Sequence, residues 1–115
     1  MKVIYIAGPY RDVRGEWFVR QNIRKAEAAA QFVWQKGGVA LCPHKNTAGF
    51  GGLPDCGDDV WLRGDLELLK RCDAIWMIEG WTDSSGATGE WDYAVQIGLT
   101  VLLSQQDVMD YLIAR

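Results

Sequence analysis

Residues 74–78, Ala-Ile-Trp-Met-Ile, form a run without a polar member. The run is too short for a helix and has no alternating polar face. It therefore reads as a strand covered on both sides. Residues 2–7, Lys-Val-Ile-Tyr-Ile-Ala, repeat the pattern at the start of the chain. Two shorter runs follow it, 39–42 before Pro43 and 100–103. A chain that buries strands on both faces must supply helices for both faces, which means a parallel sheet with helical crossovers.

The intervening segments supply those helices. Val19, Ile23, Ala26, Ala30 and Val33 share one helical face, and Gly37-Gly38 ends it. Leu62, Leu66 and Leu69 mark a second helix, with Asp58 or Asp59 as its cap. A third helix is expected over 91–98 and a last one over 107–114. Residues 12–17 are polar and read as a mobile loop. Residues 44–59 hold four glycines and one proline without an apolar period, and so read as a long connection. The order β-α-β-α-β-α-β-α predicts an α/β, flavodoxin-like three-layer sandwich. Its parallel sheet has four to five strands in the order 2-1-3-4, with right-handed crossovers and helices on both faces. The loops after strands one and three then flank one crevice, where such sheets bind ligands.

Length and composition narrow the function. At 115 residues and 49% hydrophobic content, residues 1–115 read as one domain with a real core. A net charge of −3 argues against a nucleic-acid polymer as partner. No apolar run approaches the roughly 18 residues of a membrane helix. The N-terminus lacks a signal-peptide layout, so a cytoplasmic location and no membrane are expected. Cys42, Cys56 and Cys72 form an odd, unpaired set with His44 as the one histidine. They read as reduced thiols, and neither a metal site nor a cofactor is expected. Six tryptophans exceed what a core this small can hold, so some are expected at a pocket or a subunit interface.

The chemistry-bearing residues concentrate in two loops. The loop after the third strand carries Trp81, Ser84, Ser85, Gly86 and, at the expected helix start, Glu90. Glu90 either complements a helix dipole or acts as an ionised nucleophile of the kind that attacks an anomeric carbon. Asp65, beside Leu66, is either a solvated helix residue or a partly buried acid that hands over a proton. Gly8-Pro9-Tyr10-Arg11 is either a strand-ending turn or an anion site, with Arg11 suited to a phosphate or carboxylate. Tyr5 is either core or part of the site, and His44 is either structural or a ligand contact.

Taken in order, Gly8-Pro9-Tyr10-Arg11, Cys42-Pro43-His44, Gly64-Asp65-Leu66 and Ser84-Ser85-Gly86-Ala87-Thr88-Gly89-Glu90, with Ala94 and Gly98, resemble the nucleoside 2-deoxyribosyltransferase superfamily. The chain looks closest to the small phage and bacterial proteins of its DUF4406 group, and the resemblance covers nearly its whole length. It implies a flavodoxin-like sheet and at least a dimer. It also implies a Glu, matching Glu90, that attacks C1′ of a nucleoside or nucleotide. A Tyr on strand one that orients this Glu matches Tyr5. An Asp that contacts or protonates the base matches Asp65, and the glycine after strand one matches Gly8.

Six residues before the Glu, relatives that act on free nucleosides carry an Asp for the 5′-hydroxyl, and relatives that act on 5′-monophosphates carry a Ser. This chain has Ser84 there, with Asp83 one residue earlier. The expected activity is cleavage or transfer at the N-glycosidic bond of a (deoxy)ribonucleoside 5′-monophosphate. In this reading Gly8, Arg11, Ser84, Ser85 and Gly86 hold the 5′ end, and Tyr10, His44 and Trp81 shape the base pocket. The partner is a small-molecule nucleoside or nucleotide, and the protein is a homodimer or higher homo-oligomer. Two alternatives stay open: deoxyribosyl transfer between free nucleosides, and a non-catalytic module that binds or sequesters a nucleotide.

Overall fold

A computed structural model describes residues 1–114. The strands are β1 (Val3–Ala7), β2 (Val39–Leu41), β3 (Ala74–Met77) and β4 (Thr100–Leu102). The helices are α1 (Glu16–Gln35), α2 (Pro43–Asn46), α3 (Asp58–Lys70), α4 (Ser85–Gln96) and α5 (Gln105–Ile113), with one 3₁₀ turn over Trp81–Asp83. The four strands form one sheet in the order β2-β1-β3-β4, and every pairing is parallel. This is the expected α/β sandwich with the expected order, at the lower of the two expected strand counts.

Alternation along β1 and β3 divides the core in two. Ile4, Ile6, Trp76 and Ile78 face Ala26, Ala29, Ala30 and Val33 of α1 and Val108 of α5. Tyr5, Ala7, Ile75 and Met77 face Leu69 of α3 and Ala87 and Ala94 of α4. Both faces of the two central strands are therefore covered, which is why those strands lack polar positions. The alanines of α1 and α4 let each helix approach the sheet closely. Gly37 ends α1 in a left-handed conformation at φ 90°. The Gly37 N–H donates to Trp34 O at 3.2 Å, and the Gly38 N–H to Val33 O at 3.0 Å, which together make a Schellman cap.

The structure corrects the expected boundaries where side chains outvote propensity. Residues 12–17 are not a loose loop. Asp12 accepts hydrogen bonds from the Arg14 backbone and guanidinium, and α1 already begins at Glu16. The cap of α3 is Gly57, with Asp58 and Asp59 inside the first turn, and Leu62 of its expected apolar face is exposed. The largest shift is in α4, expected from Trp91 and observed from Ser85. Ser84 caps it by accepting from the Ala87 N–H at 3.1 Å. Thr88 Oγ1 donates back to the carbonyls of Ser84 and Ser85. These bonds compensate for the two glycines and the Ser/Thr residues, all weak helix formers.

The loops after β1 and β3 lock together at the carboxyl edge of the sheet. The Ile78 N–H donates to Ala7 O at 2.8 Å. A Cβ on Gly8 would stand 2.4 Å from Ile78 Cγ1, so only glycine permits this approach. Gly80, at φ 89°, lies against Pro9. Gly8→Ala is therefore expected to cost about 1–3 kcal/mol through overpacking. It should appear as a lower denaturant midpoint at unchanged slope. An unchanged midpoint would mean that Ile78 yields freely.

Candidate active site

The carboxyl edge opens into a cleft of about 830 Å³. The loop after β1 supplies Gly8, Tyr10 and Arg11, α2 supplies His44, α3 supplies Trp61, Leu62, Asp65 and Leu66, and the start of α4 supplies Ser84 to Ala87, Gly89 and Glu90. The residues expected from sequence to act together therefore meet, with one exception. Trp81 does not line this cleft. Its ring packs on Trp91 with centroids 5.8 Å apart, beside a shallow depression on the other flank of α4. The tryptophan that lines the cleft is Trp61 instead, one of the six that the sequence reading left unassigned between core, pocket and interface. Its signal was present, since Trp61 lies one helical turn before Asp65 and so shares its face.

Glu90 shares the inner face of α4 with Ala87 and Ala94, both buried against the sheet. Below it, the fully buried Tyr5 on the central strand donates a hydrogen bond from its hydroxyl to Glu90 Oε2. Glu90 sits in the second turn of α4 and not at the helix start where it was expected. Burial pushes its carboxyl from 4.5 up to about 7. The Tyr5 hydrogen bond pulls in the opposite direction, and the Asp65 carboxylate adds to the rise. Burial, then the Glu90 charge, push the Tyr5 phenol far above its ordinary value, so it remains a donor throughout the working pH range. Burial also raises the Asp65 carboxyl above 3.8. Three titratable groups from β1, α3 and α4 thus feel one another at the floor of one cleft.

The rim is polar. The first N–H groups of α4 have no intrahelical partner and mark a partly positive pole beside Ser85 and Gly86. Ser84 lines the cleft but spends its hydroxyl as the helix cap. Asp83 lines the same wall. Arg11 reaches across the mouth to Asp58 at 2.5 Å, an exposed ion pair that is easily exchanged for another anion. His44 is buried, and its Nε2–H donates to Pro9 O at 2.9 Å, which pins the loop after β1. Burial lowers the His44 pKa, and Nδ1 has no partner among the described residues. The edge of the Tyr10 ring meets the His44 ring at 5.5 Å. Cys72 is buried, Cys42 and Cys56 are half-buried, and all three are free thiols.

Residues 2–103 match the family described as a domain of unknown function, DUF4406. The chain belongs to the DUF4406 family. Its fold is that of the 2-deoxyribosyltransferases. The enzyme of that name from Bacillus psychrosaccharolyticus is 17% identical with a TM-score of 0.67, over 95% of this chain and 91% of the other. The one from Leishmania mexicana is 24% identical with a TM-score of 0.62, over 89% and 63%. A conserved protein from Enterococcus faecalis is 20% identical with a TM-score of 0.70, over 88% and 61%. The DUF4406 chain thus spans less than two thirds of the last two. No curated protein matches its sequence. Among the described residues, no helix is long and apolar enough to cross a membrane.

The Glu90 environment makes stability depend on pH. The folded state holds the Glu90 proton more tightly than the unfolded chain does. Its contribution is therefore fully present below pH 4.5 and lost as pH rises through about 7. Relative to E90Q, the wild-type domain should lose about 3 kcal/mol of unfolding free energy between pH 4 and pH 8. Urea titrations across that range measure the difference, and a constant offset would contradict a buried, perturbed carboxyl.

Proposed function

We propose that this domain cleaves the N-glycosidic bond of a (deoxy)ribonucleoside 5′-monophosphate, with Glu90 as nucleophile. The observation that carries the reading is the Tyr5–Glu90 hydrogen bond at the floor of the cleft, with Asp65 close enough to perturb both groups. Tyr5 engages one carboxylate oxygen of Glu90, which lines the cleft. Glu90 attacks C1′ and the C1′–N bond breaks through an oxocarbenium-like transition state. Asp65 hands a proton to the departing base, so the base leaves neutral. Water then attacks C1′ of the glycosyl ester, gives a proton to the Asp65 carboxylate, and frees Glu90. A second base in place of water turns the reaction into transfer. The enzymatic names of the two matched transferases support glycosyl chemistry of this kind, although the identities are low.

The 5′ end lies at the start of α4. Amides of Ser85 and Gly86 face an anion favourably there, and Arg11 exchanges Asp58 for the phosphate. A second reading, cleavage or transfer with free nucleosides, is favoured by one observation. Asp83 joins Asp58, Asp65 and Glu90 in a cleft whose one lining cation among the described residues is Arg11. No cofactor takes part in either reading. A homo-oligomer in the cytoplasm remains part of the proposal.

Chromatographic detection of free base from a panel of nucleosides and 5′-monophosphates separates the readings. Release from monophosphates is expected, with E90A inert and folded. Equal release from nucleosides would remove the phosphate role of Arg11 and of the Ser85 and Gly86 amides. Tight binding without release would leave a nucleotide-binding module.

The pH profile offers an independent check. The nucleophile must be ionised, so kcat/KM should rise with an apparent pKa near 7. Because Tyr5 lowers the Glu90 pKa, Y5F should displace that limb to higher pH as well as slow the reaction. A limb that stays in place in Y5F would detach Tyr5 from the nucleophile.

A further inference from the structure

The two walls of the cleft differ in chemistry, and the difference orients a ligand. The α4 wall, from Asp83 to Glu90, presents hydroxyls, amides and carboxylates. The α3 wall is a helix face carrying Trp61 and Leu62 one turn before Asp65 and Leu66. Its middle is an aromatic and aliphatic surface, with Asp65 at one end and Asp58, paired with Arg11, at the other. Phe50 packs on Trp61 with ring centroids 6.1 Å apart and an interplanar angle of 57°. Its neighbours Gly49 and Gly51 line the cleft. The segment between α2 and α3 therefore packs against Trp61 through Phe50.

We infer that Trp61 is the stacking platform for the departing base, and that it sets a preference for a planar aromatic heterocycle. The inference rests on the proposed glycosidic reading and deepens it. A hydroxyl-rich sugar belongs on the polar α4 wall beside Glu90. A flat ring with little hydrogen-bonding demand on its faces belongs on Trp61. Stacking is tolerant of base identity, because every base has a π-face. The spacing of one helical turn sets Asp65 beside the inner edge of a ring stacked on Trp61, which is where a proton must reach the leaving nitrogen. Trp81 and Trp91 do not compete for this role, since they pack on each other across α4.

The experiment measures binding rather than turnover. In the E90Q background, calorimetry compares a purine or pyrimidine 5′-monophosphate with 2-deoxyribose 5-phosphate, which lacks a base. Adding W61A should weaken the nucleotide about ten- to a hundredfold and change the base-less ligand less than twofold. W61F, which keeps a ring braced by Phe50, should recover most of the loss. It also guards against a W61A chain that folds poorly. Equal loss for both ligands, or no loss for the nucleotide, overturns the platform while the glycosidic reading stands. Nucleotide that binds in a Trp61-dependent way to a wild-type protein unable to cleave it overturns the reaction and leaves the platform. Absence of binding by every nucleotide overturns both.

Discussion

The contact on which the site depends joins the middle of the sheet to the inside of a helix. Tyr5 occupies the central strand, flanked by Leu41 on one side and Ile75 on the other. Its ring is sealed in the α3–α4 half of the core, and its hydroxyl ends at Glu90. A buried phenol needs a partner, and a buried carboxylate needs a donor. Each group answers the demand of the other. The geometry holds because Ala87 and Ala94, one turn to either side of Glu90, are too small to lift α4 off the sheet. It holds also because Gly8 lets the chain leave β1 directly against Ile78. Replacing any of these with a larger residue moves the carboxylate relative to the hydroxyl.

The fold was legible because burial on two faces leaves a plain mark in sequence. Runs such as Ile4-Tyr5-Ile6 and Ile75-Trp76-Met77 have no other economical reading, and four of them with helical periods between leave few topologies. The encounter of Gly8, Tyr10 and Arg11 with Glu90 was legible for the same reason, since the strand order sends their loops to one edge, whereas Asp65, on a helix, was expected there through the family resemblance. What failed was local. The start of α4 was misplaced because Gly86, Gly89, Ser85 and Thr88 have poor helix propensity, and the compensating bonds run between side chains and backbone only three or four residues apart. That error carried over to Glu90, whose charge was assigned to a helix pole instead of to burial.

The choice between Trp81 and Trp61 failed for a related reason. Trp81 is nearer Glu90 along the chain and sits in the conspicuous loop. The 3₁₀ turn over Trp81–Asp83 turns it away from the cleft and onto Trp91. Trp61 belongs to a helix whose register against the sheet is set by Leu66 and Leu69, and that register brings position 61 to the cleft together with 65. Proximity in sequence was a weaker guide than helical phase. Leu62 lies on the same stripe and is also exposed toward the cleft, so an expected core residue is a wall residue instead.

Crowding four carboxylates around a cleft with one guanidinium among the described residues looks unfavourable for an anionic ligand, and at rest it is. Glu90 is not fully charged at neutral pH, because burial raises its carboxyl to about 7, and burial also raises Asp65 above its ordinary value. A third, Asp58, is occupied by Arg11. The field met by an incoming ligand is therefore milder than the residue count implies. On the proposed reaction it then changes sign in a useful way. Positive charge grows at C1′ as the base departs, next to a carboxylate shielded from water, where opposite charges attract far more strongly than in bulk solvent. The burial that makes Glu90 reluctant to ionise in the resting protein is the same burial that rewards its charge in the transition state. Tyr5 mediates between the two requirements, holding the pKa near neutrality so that enough of the population enters the reaction ionised.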